Sequence, residues 1–294
     1  MTASVEPPAP RRWRELLRLA LEEDLGPGDV TSAALIPPER TGDAVVEARQ
    51  DLVVCGLEVA QATFTAVDPA LAFERRAAEG ARVPAGTPLA TVSGPLASLL
   101  TAERTALNFL MRLCGVATFT RRFVDAVDGT GCAIVDTRKT LPGWRALDKY
   151  ATSVGGATNH RFGLYDGILV KDNHVALAGG VAPAVKAALA AAPANLRVQI
   201  EVESLADALA AVEAGADFLL LDNRTPDEAR AIVDRLAGRA LLEASGGIDL
   251  SNVRAMAETG VQRISIGALT HSAPAADVAL EILDPGAAPG GVVG

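Results

Sequence analysis

The chain is poor in several kinds of residue, and each shortage argues against a class of protein. Its three cysteines and three histidines form no CxxC or HExxH pattern, which argues against a disulfide framework and against a structural zinc site. Aromatic residues make up only 4% of the chain, so the core must be built from Ala, Val, Leu and Ile, a composition that suits a parallel sheet covered by helices. The sequence contains no apolar run long enough to cross a bilayer, and we therefore expect no membrane span.

Lysine is also scarce. Of the 27 basic residues, only four are lysine: Lys139, Lys149, Lys171 and Lys186. Arginine thus supplies most of the positive charge, and the lysines become candidates for specific roles. The net charge of −9 gives no basic footprint for nucleic acid, so an acidic substrate would need a local cationic cleft.

The N-terminal part of the sequence predicts helices mixed with short strands. Residues 1–9 are rich in proline and contain no apolar leader segment, so we expect no signal peptide and a cytoplasmic protein. Residues 11–24 have apolar side chains at helical spacing, and residues 40–100 contain short strands around one helix at 57–67. Residues 98–128 predict one or two helices, with Gly115 as the expected break.

One segment of this region, residues 79–86, resembles the turn of a biotinyl or lipoyl carrier domain. Such a carrier needs a lysine at the tip of its hairpin. The first 138 residues contain no lysine, which excludes the carrier hypothesis.

From residue 132 onward, apolar strands alternate with helical segments. Six strand patterns follow one another, and helices are predicted between them at 180–192, 204–214, 226–237 and 250–259. This order predicts βα units and an incomplete parallel barrel. An open doubly wound sheet is the alternative, but no GxGxxG follows the first strand.

Polar residues or glycines follow all six strands, where the active site of a βα barrel lies. These positions are Asp136, Arg138 and Lys139; Lys171 and Asp172; Glu201 and Glu203; Asp222 and Asn223; Ser245, Gly246 and Gly247; and Gly267 within Ile266-Gly267-Ala268. The cations, with His160 and Arg161 in the first loop, indicate an anion site. Glu201 and Asp222 are suited to ribose hydroxyls, Mg²⁺ or a developing positive charge, and the glycine turns are suited to phosphate.

Several motifs resemble those of the quinolinate phosphoribosyltransferase family, also called nicotinate-nucleotide pyrophosphorylase (carboxylating). The resemblance runs from the segment EDLGPGDVTS at 23–32 to SIGA at 265–268. Its most specific stretches are TAERTALN at 101–108, DTRKT at 136–140, GGATNHR at 155–161 and VKDNH at 170–174.

The resemblance implies an α/β protein with an N-terminal α/β sandwich domain and a C-terminal incomplete, six-stranded parallel α/β barrel. We assign residues 1–110 to the first domain, 111–284 to the barrel and 285–294 to a disordered tail. The implied homodimer places the N-terminal domain of one subunit over the barrel of the other, with Arg104 reaching the partner's site. We expect no nucleic acid and no membrane as partners.

The implied reaction takes quinolinate and phosphoribosyl pyrophosphate, with Mg²⁺ bound through substrate and water, to nicotinate mononucleotide, pyrophosphate and CO₂ in NAD biosynthesis. The expected catalytic residues are Lys139, Lys171, Glu201 and Asp222. The expected substrate-binding residues are Arg104, Thr137, Arg138, Lys139, His160, Arg161, Lys171, Glu201, Asp222, Ser245, Gly246, Gly247, Ile266, Gly267 and Ala268.

Three other functions stay open at this point. A Schiff-base lyase could use Lys171 as its amine, but it leaves Arg138 and Arg161 without a role. A regulator that binds an anionic metabolite has no use for Glu201 and Asp222. A related transferase could take nicotinate, although five cations favour a dicarboxylate.

Overall fold

The structure is a computed structural model that describes residues 5–283, so the predicted tail at 285–294 lies outside the described residues. The chain divides into two compact units. The first contains the residues up to Arg121, Leu141–Gly155 and the residues from Ala273 on, and the second contains Arg122–Thr140 and Gly156–Ser272. The units therefore interleave along the chain, whereas the domain limits predicted from the sequence use a single cut.

The first unit is built on a four-stranded antiparallel sheet and a short two-stranded pair. Its strands are β1 (Thr41–Ala48), β2 (Leu52–Val53), β3 (Ala72–Arg75), β4 (Arg82–Val83), β5 (Pro88–Pro95) and β12 (Val278–Leu283). The order in the sheet is β12-β1-β5-β3, and β2 pairs with β4. The helices are α1 (Arg14–Leu25), α2 (Val30–Leu35), α3 (Leu57–Val67), α4 (Leu96–Ala126) and α5 (Arg145–Val154), with a 3₁₀ turn at Pro10–Arg12.

Apolar side chains from this sheet and its helices form the core of the first unit. Ala44 and Val46 of β1 are fully buried together with Phe64 of α3 and Leu99 of α4. Helix α5 adds Leu147 to a second cluster around Trp13. The sheet with helices packed on it is the α/β sandwich that the family resemblance implied.

Helix α4 is continuous through Gly115, so the predicted break at this glycine is wrong. A Cβ atom at Gly115 would lie 2.1 Å from the carbonyl oxygen of Pro274. The glycine is therefore needed for close approach of another chain segment, not for ending the helix.

The second unit contains a sheet of six parallel strands. The strands are β6 (Ala133–Val135), β7 (Ile168–Val170), β8 (Val198–Val202), β9 (Phe218–Asp222), β10 (Leu241–Ser245) and β11 (Arg263–Ser265). Their order is β6-β11-β10-β9-β8-β7, so the first strand of the unit pairs with its last, while β6 and β7 do not pair with each other. This order is that of an incompletely closed barrel and confirms the predicted fold class.

Helices follow these strands: α6 (Asp172–Leu177), α7 (Val181–Ala191), α8 (Leu205–Glu213), α9 (Pro226–Leu236), α10 (Val253–Ala257) and α11 (Ala268–His271). The sequence pattern predicted α7 to α10 within a few residues, whereas the short helices α6 and α11 were not predicted. Ser204 and Thr225 cap α8 and α9, since the side chain of each accepts an N–H of the helix that follows it. Strand β8 is buried at all five positions, as expected for a parallel strand covered on both faces. No helix among residues 5–283 is long and apolar enough to span a bilayer.

Candidate active site

A cavity of about 640 Å³ lies at the carboxyl ends of the six barrel strands. Every described residue that lines it belongs to the second unit. The structure brings together in this cavity every predicted site residue except Arg104: Thr137, Arg138, Lys139, His160, Arg161, Lys171, Glu201, Asp222, Ser245, Gly246, Gly247, Ile266, Gly267 and Ala268. The rule that barrel strand ends meet at one face accounts for this result.

The cationic part of the cavity is formed by Arg138, Lys139, Arg161 and Lys171. Burial, followed by repulsion from Arg138, lowers the pKa of Arg161 from its ordinary value. Arg161 Nη1 donates to the carbonyl oxygen of Gly167 at 2.9 Å. Two guanidinium groups held this close create an unfavourable field that an anionic guest would relieve.

Asp136 fixes the loop that carries His160 and Arg161. Its fully buried carboxylate accepts from Asn159 Nδ2 at 2.7 Å and from the His160 backbone N–H at 2.8 Å. The first residue of the DTRKT segment is therefore a scaffold beneath the loop, while Thr137, Arg138 and Lys139 line the cavity.

The anionic part of the cavity contains Glu201 and Asp222. Glu201 is buried at the end of β8, and its Oε2 lies 3.1 Å from Lys171 Nζ. Asp222 accepts from Asn223 Nδ2 at 2.7 Å. The two carboxylates follow neighbouring strands, as the sequence predicted, and both face the same space.

The glycine turn after β10 has a backbone that only glycine adopts readily. Gly246 and Gly247 have φ values of +92° and +62°. A Cβ atom at Gly246 would lie 2.1 Å from Asn223 Oδ1, whereas no atom of residues 5–283 lies within 4 Å of one at Gly247. Asn223 itself has a φ of +53°, which is uncommon for a residue other than glycine and often marks a functional site. Contact with Asn223 thus restricts position 246 to glycine, and the turn lines the cavity without a side chain at 246 or 247.

The residues outside the cavity also have defined places. Arg104 is exposed on α4 in the first unit, and Glu203 is exposed after β8. His174 accepts the Lys171 backbone N–H with its Nδ1 atom at 3.0 Å, so it caps the start of α6.

Sequence reasoning missed several residues at this site. Asp249 and His271 line the cavity, and Gln199 and Glu243 are buried in the strands beneath it. A signal was present for the last two, because each lies two positions before a predicted strand-end residue and so shares its face.

No group of three His, Cys, Asp or Glu side chains arranged to hold a metal ion occurs among residues 5–283. The carboxylates that line the cavity are those of Glu201, Asp222 and Asp249. Magnesium ordinarily uses one or two carboxylates together with substrate phosphates and water, so this donor set is compatible with a metal carried in by a phosphorylated substrate.

Comparisons with known proteins cover nearly the whole chain. Family models match residues 29–114 as "Quinolinate phosphoribosyl transferase, N-terminal domain" and residues 116–281 as the C-terminal domain of the same family. The chain is 43% identical over 275 residues to the nicotinate-nucleotide pyrophosphorylase [carboxylating] of Mycobacterium leprae, covering 92% of this chain and 96% of that protein. It is 38% identical over 269 residues to a probable enzyme of the same name from Bacillus subtilis, covering 92% and 93%.

Solved structures agree with these matches. The crystal structure of NadC from Streptococcus pyogenes has a TM-score of 0.90 at 37% identity and covers 95% of this chain and 100% of that chain. The nicotinate-nucleotide pyrophosphorylase of Francisella tularensis has a TM-score of 0.90 at 35% identity, covering 96% and 100%. The chain therefore belongs to the quinolinate phosphoribosyltransferase family.

Proposed function

We propose that this protein transfers the phosphoribosyl group of phosphoribosyl pyrophosphate to quinolinate and releases pyrophosphate and CO₂, giving nicotinate mononucleotide for NAD biosynthesis. The observation that carries the proposal is a cavity lined by four cations, three carboxylates and two glycine-containing turns. Relatives with the carboxylating name match more than nine-tenths of the chain, which supports the same conclusion.

The cations are suited to a pyridine dicarboxylate. Arg138 and Arg161 can each present two parallel N–H groups to a carboxylate, and each charge-assisted hydrogen bond contributes about 1.5–3 kcal/mol. Lys171 adds a point charge, and Lys139 lies beside Gly267, where it can meet a phosphate. Backbone N–H groups of Gly246 and Gly247 are suited to the 5-phosphate.

The reaction needs no protein nucleophile. The pyridine nitrogen of quinolinate forms the bond to C1 of the ribose as the bond from C1 to pyrophosphate breaks. Positive charge develops on the ribose ring, and the carboxylates of Glu201 and Asp222 can stabilise it while they hold the hydroxyls. The carboxylate on the ring carbon beside the new pyridinium nitrogen then leaves as CO₂. The electron pair of the broken C–C bond stays on that ring carbon, which takes up a proton from solvent. Catalysis is mostly positioning and electrostatics.

Magnesium enters this proposal as a partner of the pyrophosphate. When bound, it supplies positive charge that stabilises the leaving pyrophosphate. Glu201 and Asp222 are the residues that would hold it, through water and the substrate oxygens.

We also propose a homodimer in which Arg104 of one subunit contributes to quinolinate binding in the other. An exposed arginine with no hydrogen bond or ion pair to residues 5–283 is available for such a role, and the TAERTALN segment around it supports the assignment. We further propose a cytoplasmic location, supported by the free thiols of Cys55 and Cys114, which lie side by side in the first unit.

The Schiff-base alternative is less well supported by the geometry. Half of the Lys171 side chain is exposed, and its ammonium group lies 3.1 Å from the Glu201 carboxylate. Such a lysine is not in the apolar or purely cationic setting that prepares an amine for attack on a carbonyl.

One assay tests the proposed function. The protein is incubated with Mg²⁺, phosphoribosyl pyrophosphate and either quinolinate or nicotinate, and both pyrophosphate and CO₂ are measured. We expect equal amounts of both products with quinolinate and neither with nicotinate. Pyrophosphate release without CO₂, or release with nicotinate alone, would refute the proposal.

A further inference from the structure

A polar layer lies beneath the floor of the active-site cavity. Gln199, Glu243 and Arg263 each precede a cavity-lining residue by two positions on the same strand, so their side chains point to the same face. Gln199 and Glu243 are almost completely buried. Glu243 and Arg263 are opposite each other on β10 and β11, and Arg263 Nε lies 3.0 Å from Glu243 Oε2. The reaction chemistry described above uses none of these three side chains.

The His160 ring connects this layer to the substrate loop. Its Nε2 atom lies 3.0 Å from Gln199 Oε1 and 3.4 Å from Glu243 Oε1. Its Nδ1 atom accepts the Arg161 backbone N–H at 2.7 Å. A neutral imidazole has one donor and one acceptor nitrogen, so this geometry requires the hydrogen on Nε2. The tautomer with its hydrogen on Nδ1 could not accept the Arg161 N–H.

Glu243 is the charged member of the layer. Burial alone would raise the pKa of Glu243, but His160, Arg263 and Ser265 outweigh it and hold the pKa below the ordinary value. A carboxylate in this place favours a ring hydrogen on the nitrogen that faces it. Neither Glu243 oxygen makes a well-aligned hydrogen bond among the described residues, so its hold on the ring is mainly electrostatic.

We propose that Glu243 and Gln199 are positioning residues for the quinolinate carboxylate subsite. They select the His160 tautomer that carries hydrogen on Nε2, and the Nδ1 contact then fixes the backbone from which the Arg161 side chain reaches into the cavity. Only the identity of the anion rests on the proposed function, because the ring arrangement can be observed without substrate.

The substitution Glu243→Gln keeps the shape of the side chain and removes its charge. Arg263 is a donor and would attract the amide oxygen of the new side chain. The amide NH₂ would then face His160 Nε2 and favour the tautomer that cannot accept from Arg161. The paired substitution Gln199→Met removes the other acceptor and leaves Glu243 unchanged.

Nitrogen-15 NMR of the histidine rings reports the tautomer directly, since protonated and unprotonated ring nitrogens resonate far apart. The chain has only three histidines, so His174→Asn and His271→Asn variants assign the spectrum. We expect wild-type His160 to carry hydrogen on Nε2 alone and Glu243→Gln to give a mixture or the opposite tautomer. A wild-type ring protonated on Nδ1, or an unchanged ring in both variants, would overturn the proposal.

Calorimetric titration with quinolinate gives the functional measurement. We expect the dissociation constant to rise roughly tenfold in Glu243→Gln, equivalent to about 1.4 kcal/mol, while that of phosphoribosyl pyrophosphate stays unchanged. Glu47→Gln is the matched control, because Glu47 is a half-buried strand glutamate paired with Arg49 in the first unit. Equal weakening of both substrates, or unfolding of both the Glu243 and Gln199 variants, would show a purely structural role and contradict the proposal.

Failure of the proposed function gives a different result. In that case the wild-type protein would release no CO₂ from quinolinate, whereas the histidine spectra would still show whether Glu243 sets the ring. The two conclusions can therefore fail separately.

Discussion

Arg161 lies in a place that is unfavourable for its own positive charge. Its guanidinium group is partly buried next to Arg138, and both effects disfavour the charged form. Such an arrangement is maintained because the surrounding loop fixes it and because a bound dianion would reverse the sign of the local interaction. Under the proposed function, affinity for the acid would come from charges that repel one another in the free protein.

The substitution Arg161→Ala should weaken quinolinate binding by about 1.5–3 kcal/mol for each charge-assisted hydrogen bond that it removes. Arg161→Lys should recover only part of this, since a lysine cannot form two parallel hydrogen bonds. Calorimetric titration measures both, with the exposed helix variant Arg230→Ala as control. Unchanged binding in Arg161→Ala would remove this residue from the substrate site.

The substitution Gly246→Ala tests the glycine turn. Positive φ alone strains a side chain by about 1–3 kcal/mol, and here a Cβ atom would also meet Asn223 Oδ1 at 2.1 Å. Gly238→Ala is a matched control, because Gly238 has a φ of +80° and none of the described residues has an atom within 4 Å of the added Cβ. We expect Gly246→Ala alone to raise the KM for phosphoribosyl pyrophosphate, while both variants become less stable to heat. An unchanged KM in Gly246→Ala would show that the turn can accommodate the added Cβ atom without loss of phosphoribosyl pyrophosphate binding.

Most of the candidate site was predictable from the sequence because parallel strands deliver their carboxyl ends to one face. The roles of the other residues depend on contacts between segments that are distant in the sequence. The two-residue spacing places Glu243 on the same face as Ser245, but only the fold shows that His160, more than 80 positions earlier, lies beside it. Asp136 was expected at the strand end but serves as a scaffold, since its hydrogen-bond donors lie in a loop 23 and 24 residues away.

At the scale of elements, helix α4 shows how packing overrides helix propensity. Glycine in a helix interior normally costs about 1 kcal/mol relative to alanine, so Gly115→Ala would be expected to stabilise an isolated helix. In this fold the added Cβ atom would lie 2.1 Å from Pro274 O and 3.0 Å from Ala275 Cα. Both are backbone atoms, which cannot rotate away.

We therefore predict that Gly115→Ala destabilises the protein, by about 1–3 kcal/mol. Denaturant unfolding measures the change. Asn108→Ala, at an exposed position on the same helix, should be neutral or slightly stabilising. A gain of stability in Gly115→Ala would mean that the segment around Pro274 does not pack against the helix.

Helix α3 is capped by the partly buried carboxylate of Glu79, whose protonation should influence stability. Glu79 accepts from Gly56 N at 3.0 Å and from Leu57 N at 2.7 Å, and Tyr150 donates to it at 3.1 Å. Burial raises the pKa of Glu79 above its ordinary value of 4.5, despite these hydrogen bonds. Between the ordinary and the raised pKa, the folded protein holds a proton that the unfolded chain has released, so stability falls as pH rises.

The substitution Glu79→Gln should remove this slope. We expect the free energy of unfolding of the variant to depend less on pH across the interval just above 4.5 than that of the wild type. Denaturant titrations at several pH values measure it, and the exposed strand glutamate Glu74 supplies the control Glu74→Gln. If wild-type stability instead rose with pH in this interval and the slope disappeared in Glu79→Gln, the pKa of Glu79 would be lowered in the folded protein, which would contradict the prediction.

At the scale of the whole molecule, the proposed dimer predicts complementation between inactive subunits. Arg104→Ala and Lys171→Ala should each be inactive alone, because each damages every site of its own homodimer. After subunit exchange, a mixed dimer would contain one site with both residues intact, so an equal mixture should recover about one quarter of wild-type activity. Light scattering and native mass spectrometry establish the exchange, and no recovery after it would contradict a shared site.

The fold was predictable to the extent that its elements follow one another along the chain. The six barrel strands and the helices between them are local repeats, and their periodicity identifies them. Strand β12 and helix α5 were not predicted as parts of the N-terminal unit, because their partners are distant in sequence. Glu281 of β12, for example, forms an ion pair with Arg49, 232 positions earlier.

The pairing of β12 with β1 has a consequence for synthesis of the protein. Strand β1 lies between β5 and β12, so one of its edges has no strand partner until the last described segment leaves the ribosome. During synthesis of the entire barrel, the backbone N–H and C=O groups along that edge are available to other extended chains. The strands β1 to β5 are thus synthesised before the barrel, and their sheet is completed only after it, so this edge is open to aggregation over that interval.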